Sequence, residues 1–208
     1  MKGIMFQQSL FEAVIEGRKT QTRRIMKPQP RDFIGITPYG FDRKGDGCDY
    51  YSAIKPRYSV GEVLYLKEPY YVEIKETKET PPLIYYKYRA KDIDFLMKTG
   101  LINTLPVKWK NKLFMPAEYA RYYIEITAVR CERVQDISDG DCEKEGVIND
   151  GFNEDVGQSF YCADGYGCPN YATQQQAYAA LFNSINGKGS WERNDWVWVY
   201  DLILVNNK

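Results

Sequence analysis

The stretch Gly17-Arg18-Lys19-Thr20-Gln21-Thr22-Arg23-Arg24 places four cations and two hydroxyls within eight residues. Such a group suits a phosphate or the polar edge of a nucleotide, because arginine offers a planar fork of donors and lysine a compact charge. A solvated edge strand whose cations discourage edge-to-edge pairing accounts for the same residues. The chain contains no histidine, which removes His-based triads, His-assisted cysteine nucleophiles and imidazole zinc sites. Acid–base chemistry here falls to Lys, Asp, Glu, Tyr or Cys.

The five cysteines are Cys48, Cys131, Cys142, Cys162 and Cys168. Cys162 and Cys168 are separated by five residues, wider than the usual zinc-ligand gap, and no second close pair accompanies them. Free thiols are expected, with no metal and no cofactor. The amino terminus carries Gln7, Gln8, Glu12 and Glu16 where an export signal needs an apolar run, so the expectation is a cytoplasmic chain with reduced cysteines. Asp201 interrupts the most apolar stretch, Trp196 to Val205, which is too short to span a membrane.

Formal charge is zero, which on its own argues against bulk attraction to nucleic acid. Its distribution is uneven: residues 1–30 carry a net +4 and residues 131–170 a net −8. The basic segment could face phosphate, or the two segments could neutralise one another in the fold.

The elements that must position these residues follow from periodicity and punctuation. Ser9 to Ile15 reads as a short amphipathic helix closed by a left-handed Gly17. Lys19 to Ile25, Gly61 to Lys67, Arg121 to Arg133 and Trp196 to Val205 read as strands, with Ile84 to Arg89 as a further candidate. Ser138 starts a short helix over Asp141 to Glu145, and Thr173-Gln-Gln-Gln176 is a capping box for a helix ended by Gly187. Asp92 to Thr99 reads as a helical turn. Residues 31–56 and 148–171 lack periodicity and read as loops or insertions. Trp196, Trp198 and Tyr200 share a face that could stack bases, although on so apolar a strand a core role is the simpler one. Strands outnumber helices, so the expected class is α+β, mostly β, as a small barrel with short helices at its ends.

Gly17-Arg18-Lys19-Thr20-Gln21-Thr22-Arg23-Arg24 after a short helix resembles the Gly-x-Lys-x-x-(Glu/Thr)-x-Arg signature of the ASCH superfamily, a PUA-like barrel fold. The resemblance continues in order through Gly61-Glu62-Val63-Leu64 with Lys67-Glu68, and through Met115-Pro116 with Ala120-Arg121. Further on it takes in Glu125 to Arg130, Gln135 to Ser138, Glu145-Gly146 and Trp196 to Tyr200. The array is most similar to ASCH proteins of phages and prophages. It implies one domain over residues 1–208, with insertions near 31–56, 74–106 and 148–171.

One branch of that superfamily removes the acetyl group from N4-acetylcytidine with a lysine, a threonine and a glutamate. The resemblance places these at Lys19, Thr22 and Glu145. It also implies a nucleoside or RNA partner, met by Arg23, Arg24, Lys67 and Arg121. Two functions are therefore expected in competition: an amidohydrolase acting on an N4-acylated cytidine, and a non-catalytic nucleic-acid-binding module. The trio is chemically coherent, since a threonine hydroxyl needs a neighbouring base and a desolvated lysine can become one. Residues 19 and 22 would face opposite sides of a regular strand, so the chain must bend near Gly17 to bring them together.

Overall fold

The computed structural model describes residues 1–30, 33–37, 40–43, 54–73, 83–86, 109–153, 158–162 and 169–205. In chain order the elements are β1 (Gly3–Met5), α1 (Gln8–Ile15), β2 (Gln21–Ile25), β3 (Phe33–Thr37), β4 (Gly40–Arg43), β5 (Val63–Lys67) and β6 (Tyr70–Glu73). After these come β7 (Leu83–Tyr86), β8 (Tyr123–Arg133), α2 (Asp139–Glu145), β9 (Ile148–Asn153), β10 (Gln158–Cys162), α3 (Gln174–Asn186) and β11 (Trp196–Val205). The chain divides into two compact units. The first comprises Met1–Ile15, Val63–Ile124 and Leu204–Lys208, the second Glu16–Glu62 and Glu125–Ile203.

In the first unit β1 runs parallel to β5, with Ile4 opposite Leu66, and Leu66 N donates to Tyr122 O at 2.9 Å beside the start of β8. α1 turns Leu10, Phe11, Ala13 and Val14 inward, the apolar stripe its spacing requires. Phe11 meets Tyr122 edge to face at 5.9 Å. A second cluster gathers Tyr65, Tyr70, Met115 and Ala120, with the Tyr65 hydroxyl donating to Met115 O at 3.0 Å. β6 and β7 form an antiparallel pair.

The second unit holds the strand order β8-β11-β2, with β2 at the edge. β2 and β11 are antiparallel, pairing Thr22 with Tyr200 and Arg24 with Trp198. Directly opposed residues point to the same face, so Thr22, Arg24, Trp198 and Tyr200 share one side while Gln21, Arg23 and Asp201 share the other. β11 is buried on both faces: Val197, Val199, Tyr200 and Leu202 are nearly inaccessible, which explains why its sequence is an almost unbroken apolar run. Trp198 and Tyr200 are core residues. α2 is capped by Ser138, whose hydroxyl accepts from Asp141 N at 3.2 Å, and closed by Gly146 at φ +109°. Thr173 likewise caps α3 by accepting from Gln176 N at 3.1 Å, and α3 buries Ala177, Tyr178, Leu181 and Phe182.

All four principal strands and all three helices read from the sequence are present. The closed barrel is not: the described strands form open sheets, leaving β2 an edge. β2 also starts two residues later than expected. Thr20 N is taken by Lys144 O at 3.0 Å, at the end of α2, while its carbonyl still accepts from Leu202 N of β11. Residues 31–56 and 148–171 are not featureless, since each contains an antiparallel hairpin, β3–β4 and β9–β10. Short Gly-rich strands carry too few side chains to print a period. The turn expected over Asp92 to Thr99 and the end of the Ile84 to Arg89 strand lie outside the described residues.

No helix among the described residues is long and apolar enough to cross a membrane. Cys131 and Cys142 are free, as expected, but Cys162 is disulfide-bonded, which corrects the reading of every cysteine as a free thiol. Cys48 and Cys168 lie outside the described residues, and with Cys168 the spacing weighed for zinc. Among the described residues no group of three or more Cys, Asp or Glu side chains is arranged to hold a metal ion.

Candidate functional site

Gly17, at φ +76°, turns the chain out of α1, a conformation that glycine adopts without steric cost. Further on, both backbone groups of Thr20 are engaged. Thr20 N donates to Lys144 O at 3.0 Å, and Leu202 N donates to Thr20 O at 2.8 Å. The end of α2 is thus fastened to the start of β2. Lys19 Nζ reaches the same helix end, donating to Glu145 O at 2.7 Å and to Glu145 Oε2 at 2.6 Å.

This pair is deeply enclosed, with side-chain exposures of 1% for Lys19 and 5% for Glu145. Burial lowers the lysine's pKa from its usual value; Glu145 opposes that shift, and the cations of Arg24 and Arg23 add to it. The result is an amine that gives up its proton more readily than a surface lysine.

Arg23 approaches the other oxygen of the same carboxylate, with Nη1 donating to Glu145 Oε1 at 3.2 Å. Its remaining donors go to Glu132 Oε1, Asp141 Oδ2 and Gln21 Oε1. Burial disfavours the guanidinium cation, but Glu145, Tyr178 and Glu132 outweigh it and raise its pKa. The Tyr178 ring lies 5.9 Å from the guanidinium carbon. Behind Arg23, Arg130 donates to Asp141 Oδ2 at 2.7 Å and to Asp201 Oδ2 at 3.2 Å. Arg23 was expected at a ligand's phosphate; its side chain is instead wholly enclosed by carboxylates of its own chain.

Thr22 and Arg24 occupy the opposite face. Thr22 is buried, and its hydroxyl makes no hydrogen bond among the described residues. Arg24 is half-buried among charges and rings that include Tyr58, Glu145, Tyr178 and Tyr200. Burial lowers its pKa, yet an arginine remains a cation throughout the working range. Tyr58 and Tyr200 meet edge to face at 5.3 Å, and the Tyr200 hydroxyl accepts from Arg57 N at 3.1 Å.

Both arginines act on Glu145 although they start on different faces of β2. Arg23 does so by a hydrogen bond and Arg24 through its charge, the end of α2 being fastened to the start of β2. Lys67 and Arg121 belong to the first unit. There Lys67 Nζ donates to Leu113 O at 2.8 Å, and Arg121 forms a two-pronged pair with the buried Glu68 at 2.7 Å for each contact. Of the expected site residues, then, Lys19, Glu145 and Arg23 are joined by hydrogen bonds. Arg24 acts on the same cluster electrostatically, and Thr22 shares its face.

Sequence reasoning missed Glu132, Asp141, Arg130 and Tyr178. The charge asymmetry was the available signal: the basic segment at 1–30 and the acidic one at 131–170 do neutralise one another, through Lys19 and Arg23. Comparison with family models, curated proteins and solved structures finds no match to this chain.

Proposed function

We propose that the second unit carries an amidohydrolase site acting on an N4-acylated cytidine or a related small amide, within an ASCH-like, PUA-related fold. The observation that carries this reading is the enclosed Lys19–Glu145 pair, 2.6 Å long, with the lysine's pKa lowered by burial. A lysine poised in this way can act as a general base at lower pH than a surface lysine, a task no histidine is present to perform.

In the proposed reaction, neutral Lys19 takes the proton of the Thr22 hydroxyl as Oγ1 attacks the acyl carbon. The resulting ammonium, held by Glu145, then protonates the departing exocyclic amine as the C–N bond breaks. Water deprotonated by Lys19 attacks the acyl-threonine ester, releasing a carboxylic acid and restoring the hydroxyl. Arg24 shares the face of Thr22 and would place its positive charge on the side of the carbonyl oxygen or the base. The rings of Tyr58 and Tyr200 wall the same side.

The non-catalytic RNA-binding alternative depends on cations free to meet phosphate. Arg23 and Arg121 already spend their donors on internal carboxylates and Lys67 donates to a carbonyl, so the enzyme reading is favoured. The test is incubation of the purified chain with N4-acetylcytidine, following release of cytidine and acetate. Turnover that disappears in Lys19→Met and Thr22→Ala is expected. An inactive wild type would overturn the reading.

A further inference from the structure

The mechanism above leaves Arg23 without a role, yet it is the most heavily engaged side chain of the cluster. Its guanidinium has no solvent exposure and so cannot meet a ligand directly. Two carboxylates hold it: Glu132 Oε1 accepts from Nε at 2.9 Å and from Nη2 at 2.5 Å, and Asp141 Oδ2 accepts from Nη2 at 3.0 Å. Arg130 steadies both, donating to Asp141 Oδ2 at 2.7 Å and to Glu132 Oε2 at 3.3 Å. Only Nη1 points toward the catalytic pair, giving one hydrogen bond to Gln21 Oε1 and one to Glu145 Oε1.

Glu145 needs such a fixture. The last torsion of a glutamate is broad and roughly two-fold, and an ammonium is a point charge that imposes no plane on a carboxylate. Lys19 alone would let the carboxylate swivel and offer either or both oxygens. A planar guanidinium clamped by Glu132 and Asp141 occupies Oε1 and leaves Oε2 for the lysine.

We propose that Arg23 is a positioning residue that fixes Glu145 through Oε1, so that Lys19 meets one oxygen of a carboxylate whose charge is already shared. This rests on reading Lys19 as the base. The charges acting on Lys19 are Glu145 from α2 with Arg23 and Arg24 from β2, and those acting on Arg23 are Glu145 and Asp141 from α2, Glu132 from β8 and Tyr178 from α3. Removing the guanidinium takes a repelling cation from Lys19 and turns the whole carboxylate charge onto it. Both changes make the lysine hold its proton more tightly.

The experiment follows the Lys19 side chain itself, by NMR titration of its 13Cε signal in the full chain, assigned by its absence in Lys19→Met. Arg23→Gln is expected to move the Lys19 midpoint up by about one pH unit, and the rising limb of the rate profile on N4-acetylcytidine with it. Arg23→Lys keeps the charge but not the fork. It should leave the midpoint close to wild type while lowering kcat about fivefold, with KM little changed. A merely structural arginine would lower the unfolding midpoint in both variants and leave the Lys19 titration where it was. Should Arg23→Gln fail to fold, Glu132→Gln leaves the Arg23 cation in place with one counter-charge fewer and should move the Lys19 midpoint the other way, downward. An unmoved Lys19 midpoint in Arg23→Gln, or in Glu132→Gln where Arg23→Gln does not fold, overturns the proposal. If the wild type turns over no amide but Lys19 still responds to Arg23→Gln, amide hydrolysis falls and the positioning role stands.

Discussion

Lys19 Nζ lies 2.6 Å from Glu145 Oε2, across 126 residues of sequence, with both side chains almost wholly enclosed. Two opposite charges taken out of water together cost desolvation that their attraction only partly offsets. The pair therefore says more about chemistry than about stability. What it gives the fold is dependence: each member, left alone, becomes a buried charge short of a partner.

That dependence gives the first prediction. Lys19→Met and Glu145→Gln should each lower unfolding free energy by about 3 kcal/mol, since each leaves one buried group without its main partner. The double variant, with no charge on either side, should be less destabilised than the sum of the two. Urea denaturation of all four proteins measures the coupling. Additive losses would mean that the pair is not a unit.

The second prediction concerns the rate profile. A base works in its neutral form, and burial lowers the Lys19 pKa, so turnover should climb with pH through a midpoint below the ordinary lysine value of about 10.4. Lys19→Arg keeps the cation but cannot deprotonate, and should be inactive at every pH. A limb at the ordinary lysine value would remove Lys19 from the role of base.

Much of this arrangement was legible in the sequence, because the devices that place it are local. Gly17 and Gly146 end helices in the left-handed region, and Ser138 and Thr173 begin them; each is a rule about residues a few positions apart. The strand β8 shows itself by its alternation and β11 by its apolar run. What stayed hidden is tertiary. The two-residue delay of β2 follows from Thr20 N bonding Lys144 O, and nothing near residue 20 signals a carbonyl 124 positions away. Arg23 looked like its neighbour Arg24, yet one faces three carboxylates and the other shares a side with Thr22. Parity along β2 separates them only once the partners of each face are known.

A third prediction comes from Asp141, which is half-buried and accepts from Arg23, Arg130 and Lys144. Burial alone would raise its pKa, but those three cations hold it below the usual carboxylate range. A folded value below the unfolded one means stability that is complete above pH about 4 and is lost as pH falls through the folded value. Acid denaturation of Asp141→Asn should therefore show a shallower loss below pH about 4 than wild type, starting from a lower plateau. Parallel curves for the two proteins would mean that Asp141 contributes nothing to acid sensitivity.

The last prediction lies at the alkaline end, where Cys142 sits on the inner side of α2 with no measurable exposure. Burial pushes its thiol up to about 12, helped by Asp139, Glu145 and Asp141 against the opposing cation of Arg23. An unfolded cysteine titrates near 8.5, so above that pH the unfolded chain releases a proton that the folded chain keeps. The sign is fixed: stability must fall as pH rises from about 8.5 toward the folded value, by up to ~1.4 kcal/mol per pH unit. Lys19 works in the other direction over part of that range, because a lysine with a lowered folded pKa gains stability as pH climbs toward its unfolded value. The two are separable by substitution. Cys142→Ala should lose less stability than wild type between about pH 8.5 and 10.5, while Lys19→Met should lose more. Denaturant midpoints measured at half-unit steps would resolve the divergence, and a Cys142→Ala curve that tracks wild type would show that the thiol titrates normally inside the fold.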